Sequence, residues 1–209
     1  CFNMDMGSVK RENSGGRRWR QAIFLLAILV AVIVILVWRT VERRSARPDV
    51  RLITIDTLRA DRLGCYGYQP ARTPRIDALA AEGVRCQDVL TAAPITLPAH
   101  ATILTGLFPT AHGVRDNGAF SLAAKAVTLA EVLAKEGYDT AAFVSALVLN
   151  RRYGLEQGFA LYDDDLWAEA DPKLFMIRER PAAKTVYRFL SWFARREERA
   201  DRRPCFAWI

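Results

Sequence analysis

Two residues far apart in the chain have the types and settings to do chemistry together: Thr96, inside APITLPAHATILTG (93–106), and Asp56, at the end of VRLITID (50–56). Pro98 suits a first helical turn and Gly106 a helix end, so 96–106 reads as a short helix with Thr96 as its N-cap. Unpaired N–H groups and the helix dipole favour an anion at that end. A hydroxyl held there, beside a carboxylate that binds metal, is how a protein makes a nucleophile for a phosphate or sulfate ester. Asp56 closes a β-branched run, and ligands of open α/β sheets gather outside the carboxyl ends of the strands. By residue type alone, Thr96 is equally a plain helix cap and Asp56 a turn residue.

The elements that must position these two residues are legible in part. Residues 50–55 read as a strand. Thr73-Pro74 opens a helix through a capping hydroxyl and a first-turn proline; Ile76, Leu79 and Ala80 form its apolar face, and Gly83 closes it. Thr128 with Glu131 makes a capping box before Leu129, Val132 and Leu133, and Gly137 ends that helix. Residues 140–149 read as a buried strand, and 182–199 as an amphipathic helix with Val186, Phe189, Leu190 and Phe193 on one side. Strands alternating with helices predict an α/β layer fold with a largely parallel sheet.

The other polar groups are weaker candidates. His100 and His112 are the only histidines, and twelve positions apart they form no helical metal pair. His100, one turn behind Thr96, is placed to face a bound anion or orient the threonine; His112 reads as structural. Arg59 and Asp61 read as a pair that stabilises a loop, and 163–165 (DDD) as a solvated acidic turn. Cys65, Cys86 and Cys205 have no spacing that demands a bridge or a zinc site.

Composition narrows the class. The 209 residues are 51% hydrophobic and 25% charged, enough apolar material for a sizeable core, which excludes wholesale disorder. The net charge of +7 is concentrated at one end: residues 1–49 hold 9 Lys/Arg against 4 Asp/Glu, and residues 50–209 hold 21 against 19. A basic body that binds nucleic acid is therefore excluded. After a basic segment (1–21), residues 22–38 (AIFLLAILVAVIVILVW) are uncharged throughout, with Trp19 and Trp38 near the two ends. As a helix this run would span about 26 Å, close to the roughly 30 Å hydrocarbon core. Ser45-Ala46 is its one weak small-residue candidate for signal cleavage, so the run predicts one transmembrane signal anchor, with a cleaved signal peptide as the rival reading. A polar linker (39–49) then leads to the body, 50–209. The chain starts at Cys1, with Met4 and Met6 shortly after, and 205–209 (CFAWI) reads as a core strand just beginning; a fragment cut inside its catalytic domain is the expectation.

The pairing of ITIDTLRADRLGCYGY (53–68) with TLPAHATILTG (96–106) resembles the sulfatase family of the alkaline phosphatase superfamily. The similarity continues through 73–84, 106–118, 130–143 and 154–166. It implies an alkaline-phosphatase-like sandwich around a largely parallel sheet, of which 50–209 is the N-terminal part. It also implies a divalent cation (Ca, Mg, Mn or Zn) and a small-molecule, lipid-linked or glycan ester as substrate. Read onto the family signature, Thr96 takes the nucleophile position, Pro98 the proline and Thr105-Gly106 the terminal pair, while His100 replaces an arginine. Asp56 matches the first metal-binding aspartate, and Thr57 stands where many sulfatases place a second. Asn117 matches an asparagine that touches a nonbridging substrate oxygen in phosphonate- and phosphodiester-cleaving relatives.

The departures shape the expected chemistry. Threonine cannot become the formylglycine aldehyde of true sulfatases, so none is expected, and Ser145 and Leu147 fall near positions that usually hold Lys and His. The resemblance therefore implies an inner-membrane, single-pass hydrolase or transferase with its catalytic domain outside the cytoplasm, acting through Thr96 and favouring phosphorus esters. Two rivals remain: a sulfuric ester hydrolase, and a noncatalytic, membrane-tethered module that binds sulfated or phosphorylated glycans.

Overall fold

The computed structural model describes residues 23–36, 47–166, 180–199 and 202–209, in two units, Cys1–Arg47 and Pro48–Ile209. In the first unit a helix, α1, covers 23–36 with every residue exposed. Among the described residues no helix is long and apolar enough to cross a membrane. Ala22, Val37 and Trp38, the ends of the apolar run, lie outside the described residues.

The second unit is built on four strands: β1 (Val50–Leu52), β2 (Asp139–Phe143), β3 (Leu161–Asp163) and β4 (Cys205–Trp208). They form one sheet in the order β1-β4-β2-β3, every pair parallel. The last strand in sequence is thus an inner strand, flanked on both sides and buried at all four positions. That burial explains its unbroken apolar composition, the mark of a parallel strand covered on both faces. The expectation of an α/β fold with a largely parallel sheet holds.

Successive residues of a strand point to opposite faces. Ala142, Phe206 and Trp208 share one face with Tyr162 and pack against α3 (Thr96–Thr105) through Leu97, Ala101 and Leu104. Ala130 of α5 (Leu129–Lys135) joins the same core. On the other face Phe143 meets Phe189 and Trp192 of α6 (Ala182–Glu197), with ring centroids 5.9 Å apart in each pair. Helices α2 (Pro74–Glu82) and α4 (Pro109–His112) complete the set.

Several elements differ from expectation. The strand predicted over 50–55 stops at Leu52, although its ladder continues through Thr54 N–H to the Ile209 carbonyl and Ile209 N–H to the Leu52 carbonyl, 2.9 Å each. The strand predicted over 140–149 ends at Phe143; the apolar run continues as a 3₁₀ turn, Leu147–Leu149, that buries Leu149 outside the sheet. On α6 the inward residues are Thr185, Phe189, Trp192 and Arg196, whereas Val186 and Leu190 are exposed. The helix is rotated because Arg196 is drawn inward to Asp49, 3.2 Å, at the amino edge of the sheet. Leu79 on α2 and Val132 on α5 are likewise exposed. The capping box at Thr128 and Glu131 is present in both directions. Thr73 caps nothing with its side chain: its hydroxyl is bound to the Asp77 carboxylate and accepts from Gly64 N–H, 3.1 Å.

Residues 163–165 are not a solvated turn. Asp163 ends β3 and pairs with Arg180 (2.7 Å) and Arg188 (3.2 Å). Asp164 is buried and accepts from Asn150 Nδ2 at 2.8 Å and from Arg151 N, Nε and Nη2 at 2.6–3.0 Å. Arginines at a distance in sequence neutralise the acidic run, and only Asp165 stays exposed.

Candidate active site

The site forms where β1 and α3 meet, at the carboxyl edge of the sheet. Past Leu52 the chain is held to the end of β4, which carries it to Asp56. Thr57 follows at φ 57°, the one non-glycine residue with positive φ among the described residues. A β-branched residue there costs about 1–3 kcal/mol, a strain that clusters at functional sites. The turn is held by Thr57 N–H, which donates to Asp56 Oδ1 at 3.1 Å.

Thr96 is the first residue of α3; Ile95, which has no capping side chain, is the N-cap. The predicted capping role therefore falls elsewhere: Asn117 Oδ1 accepts from Leu97 N–H at 2.9 Å, satisfying a first-turn donor. That leaves the Thr96 hydroxyl free for another partner, and it donates to Asp56 Oδ2 at 3.0 Å. Thr96, Asp56 and Asn117 are thus brought together across 40 and 20 positions of sequence. The far end of α3 runs as expected, with Gly106 in the left-handed conformation at φ 68°.

His100 is buried behind Thr96. Its Nδ1–H donates to the Thr96 carbonyl at 2.7 Å, and its ring lies 5.4 Å from the Trp208 ring. Trp208 Nε1–H donates in turn to Thr54 Oγ1 at 3.1 Å. The two arms of the site are therefore braced through β4: Thr96 by way of His100, Asp56 by way of Thr54. Burial pushes the His100 imidazole below its ordinary range, with the Thr96 carbonyl and the Asp56 charge opposing, so the ring is neutral at pH 7. No sequence pattern announced Trp208 or Thr54 as site residues, since their link depends on strand register.

The remaining candidates serve structure. Val114 N–H donates to His112 Nδ1 at 3.1 Å, which leaves the ring's Nε2–H for Thr102 Oγ1 at 3.1 Å. Arg59 and Asp61 form the expected exposed loop pair at 2.6 Å. Ser145 binds Thr185 Oγ1 at 2.6 Å, its carbonyl accepts from Arg180 N–H, and Leu147 opens the 3₁₀ turn. Cys65, Cys86 and Cys205 are free thiols. Among the described residues no group of three His, Cys, Asp or Glu side chains could hold a metal ion.

The arrangement is a carboxylate and a hydroxyl in contact at a strand end and a helix N-terminus, on a parallel sheet covered by helices. That architecture is shared with ester-cleaving enzymes of known structure. The unit superposes on the phosphonate monoester hydrolase of Agrobacterium radiobacter with a TM-score of 0.60 at 24% identity, covering 78% of this chain and 40% of that one. It superposes on BT4656, solved with its substrate D-glucosamine-2-N,6-O-disulfate, with a TM-score of 0.61 at 21% identity, covering 78% and 33%. At those identities the likeness shows the fold. Sequence carries the rest: residues 48–193 match the sulfatase family model, and the chain belongs to the sulfatase family. Rat (Rattus norvegicus) steryl-sulfatase is 36% identical over 126 residues, 56% of this chain and 21% of the relative; human arylsulfatase A is 38% identical over 98 residues, 44% and 19%. The chain thus spans about a fifth of the length of these relatives.

Proposed function

We propose that this chain carries the nucleophile half of a membrane-anchored, metal-dependent ester hydrolase or transferase that cleaves phosphate or sulfate esters, phosphorus esters preferentially, through Thr96. The observation that carries the reading is the 3.0 Å bond from the Thr96 hydroxyl to Asp56 at the first turn of α3. A hydroxyl whose proton already points at a carboxylate is set for in-line attack. Oγ bonds to phosphorus, the proton passes to Asp56, and the alcohol departs with the electrons of the broken ester bond and gains a proton. Water or an acceptor alcohol then attacks the threonyl ester and frees Thr96. The positive end of the α3 dipole favours the charge on the ester oxygens, Asn117 keeps the first turn in register, and His100 with Trp208 fixes the threonine backbone.

Asp56 and Thr96 would supply two hard oxygen donors, the donor type that Mg²⁺, Ca²⁺ and Mn²⁺ take and Zn²⁺ accepts. When bound, such an ion supplies Lewis acidity that lowers the hydroxyl's pKa and screens the ester's charge.

The preference for phosphorus follows from the single hydroxyl of threonine. A hydrated formylglycine expels sulfate by collapse of its second hydroxyl, whereas a threonyl ester must be opened by a second attack, which phosphorus accepts more readily once its charge is shielded. Ser145 and Leu147, tied into the protein, offer no cation for a sulfate group. Sulfate-ester hydrolysis is the second reading, favoured by relatives that are sulfatases by name. The discriminating assay gives the full-length protein an aryl phosphodiester and an aryl sulfate with the same leaving group; faster cleavage of the sulfate overturns the preference.

Residues 22–38 are the anchor in this reading, with one pass through the inner membrane and the body on the periplasmic side. A fusion of residues 1–60 to a reporter should stay in the membrane fraction after alkaline wash; a soluble reporter starting near residue 47 refutes it.

A further inference from the structure

The second unit has a feature that Thr96 chemistry does not use. A cavity of about 460 Å³ opens beside the last turn of α6, within the size range of small-ligand pockets. Its wall carries four guanidinium groups (Arg195, Arg196, Arg199 and Arg203) against one carboxylate, Asp139. It takes in Asp139 and Leu161, the first residues of β2 and β3, and so lies at the amino edge of the sheet. Asp56 follows the carboxyl end of β1, and a five-residue strand separates the two edges by about 15 Å.

Two of the arginines are accounted for by the fold. Arg203 is bound to Asp139 at 2.6 Å, and Arg196 to Asp49 at 3.2 Å and Glu197 at 3.4 Å. Arg195 and Arg199 have no carboxylate partner among the described residues, and both are exposed. Arg195 lies in the last turn of α6, and Arg199 lies two residues past the helix end. Arg196 adds an independent sign: it is buried, and its Nε–H has no hydrogen-bond partner, with Asp139 Oδ2 at 3.6 Å. Trp192, one turn before Arg195, gives the cavity an aromatic wall.

We propose that this cavity is a second oxyanion site, which takes a sulfate or phosphate group between Arg195 and Arg199 with Trp192 against the uncharged part of the ligand. Two guanidinium forks on one cavity wall match the oxygens of a tetrahedral anion in a way that point charges do not. The site is independent of the Thr96 reaction and stands or falls without it.

The test is calorimetric titration of the full-length protein with sodium sulfate, sodium phosphate and a sulfated hexasaccharide, at constant ionic strength held with chloride. The parent is compared with the Arg195→Ala/Arg199→Ala and Arg195→Lys/Arg199→Lys pairs. The alanine pair should raise Kd at least tenfold; the lysine pair, which keeps charge and loses the fork, should fall between. Thr96→Ala should leave the difference between parent and alanine pair in place, which separates failure of this site from failure of the proposed chemistry. Tighter binding of the hexasaccharide than of sulfate, lost in the alanine pair, assigns the anion to a carbohydrate; equal binding of the two assigns it to the free ion. Kd values unchanged in the alanine pair for all three probes overturn the proposal. Circular dichroism of both pairs checks that α6 is retained, and the lysine pair carries the test if the alanine pair loses it.

Discussion

Asp56 and Asp163–Asp164 both lie at carboxyl ends of strands on the same edge of one sheet, and they are treated in opposite ways. Asp164 is buried and takes four hydrogen bonds from Asn150 and Arg151, while Asp163 is clamped by Arg180 and Arg188. Asp56 is exposed and takes two, one from its own neighbour Thr57 and one from Thr96. The carboxylates near β3 have spent their acceptor capacity on the fold, since a buried charge left unpaired is costly. The carboxylate after β1 keeps capacity in reserve, and the backbone beside it is held at a positive φ. Saturation marks the structural acid, and incomplete saturation beside strain marks the acid available for chemistry.

The sharpest way to break this contrast is to remove the nucleophile. Thr96→Ala in the full-length protein should lower turnover of an aryl phosphodiester by about 10³-fold or more, with Thr96→Ser retaining part of it. The melting temperature should move little, because the hydroxyl's only partner among the described residues is the exposed Asp56. Near-parental turnover in the alanine variant would remove Thr96 from the reaction.

The opposite change belongs at β3. Arg180 is buried and donates to Thr185 Oγ1, Asp163 and the Val144 carbonyl, so every side of its guanidinium is occupied by protein. Arg180→Ala leaves Asp163 half-paired and should cost about 3–5 kcal/mol of stability, read from denaturant unfolding. Arg188 remains at 3.2 Å as partial compensation, which places the expected value toward the lower end. A loss below about 1 kcal/mol would mean that the network is decoration.

A smaller effect is expected from pH. Burial works to raise the Asp164 carboxyl, but the bonds and charge of Arg151 outweigh it and hold the group below its ordinary value of 3.8. A carboxyl depressed in the folded state contributes stability that is fully present above the unfolded pKa, about 3.9. That contribution is lost as pH falls through the folded pKa. Asp164→Asn should therefore flatten the unfolding curve below about pH 4 and leave its slope at pH 6–8 unchanged. An unchanged acid limb would show that Asp164 does not contribute to it.

These contrasts also show where sequence was informative. Local chemistry was legible: the Thr128 capping box, Gly106 at the end of α3 and the apolar run of β4 follow from rules of short range. The Thr96–Asp56 pair was reachable because a strand end and a helix start are each readable and a parallel sheet places them on one edge. What failed needed tertiary partners. The acidic run 163–165 looks solvated until Arg151, Arg180 and Arg188 are placed around it. The inward face of α6 was misjudged because Arg196, the most polar kind of residue, is the one drawn inside by Asp49. The hydrogen bond of Asn117, to which the resemblance gives a substrate contact, to Leu97 N–H was likewise unannounced, because it is a capping contact made from a separate loop.

The smallest effect probes whether the brace behind Thr96 belongs to the site or to the core. His100 is 6% exposed, donates to the Thr96 carbonyl and lies against Trp208, which is bound to Thr54. His100→Phe keeps the aromatic volume and the contact with Trp208 but removes the Nδ1 donor. If His100 only fills space, the change should be close to neutral in both stability and rate. If it fixes the threonine, kcat should fall about tenfold, since a small displacement of an attacking atom weighs heavily on rate. KM should move by less than twofold, because the lost bond touches the nucleophile's backbone rather than the substrate. His100→Asn, whose side-chain amide places an N–H close to the position of Nδ1, should recover part of kcat while packing worse against Trp208. Rate and stability would then move in opposite directions between the two variants, which a purely structural histidine does not produce. Parallel losses in both quantities would return His100 to the core and leave Asp56 and Thr96 as the whole of the site on this chain.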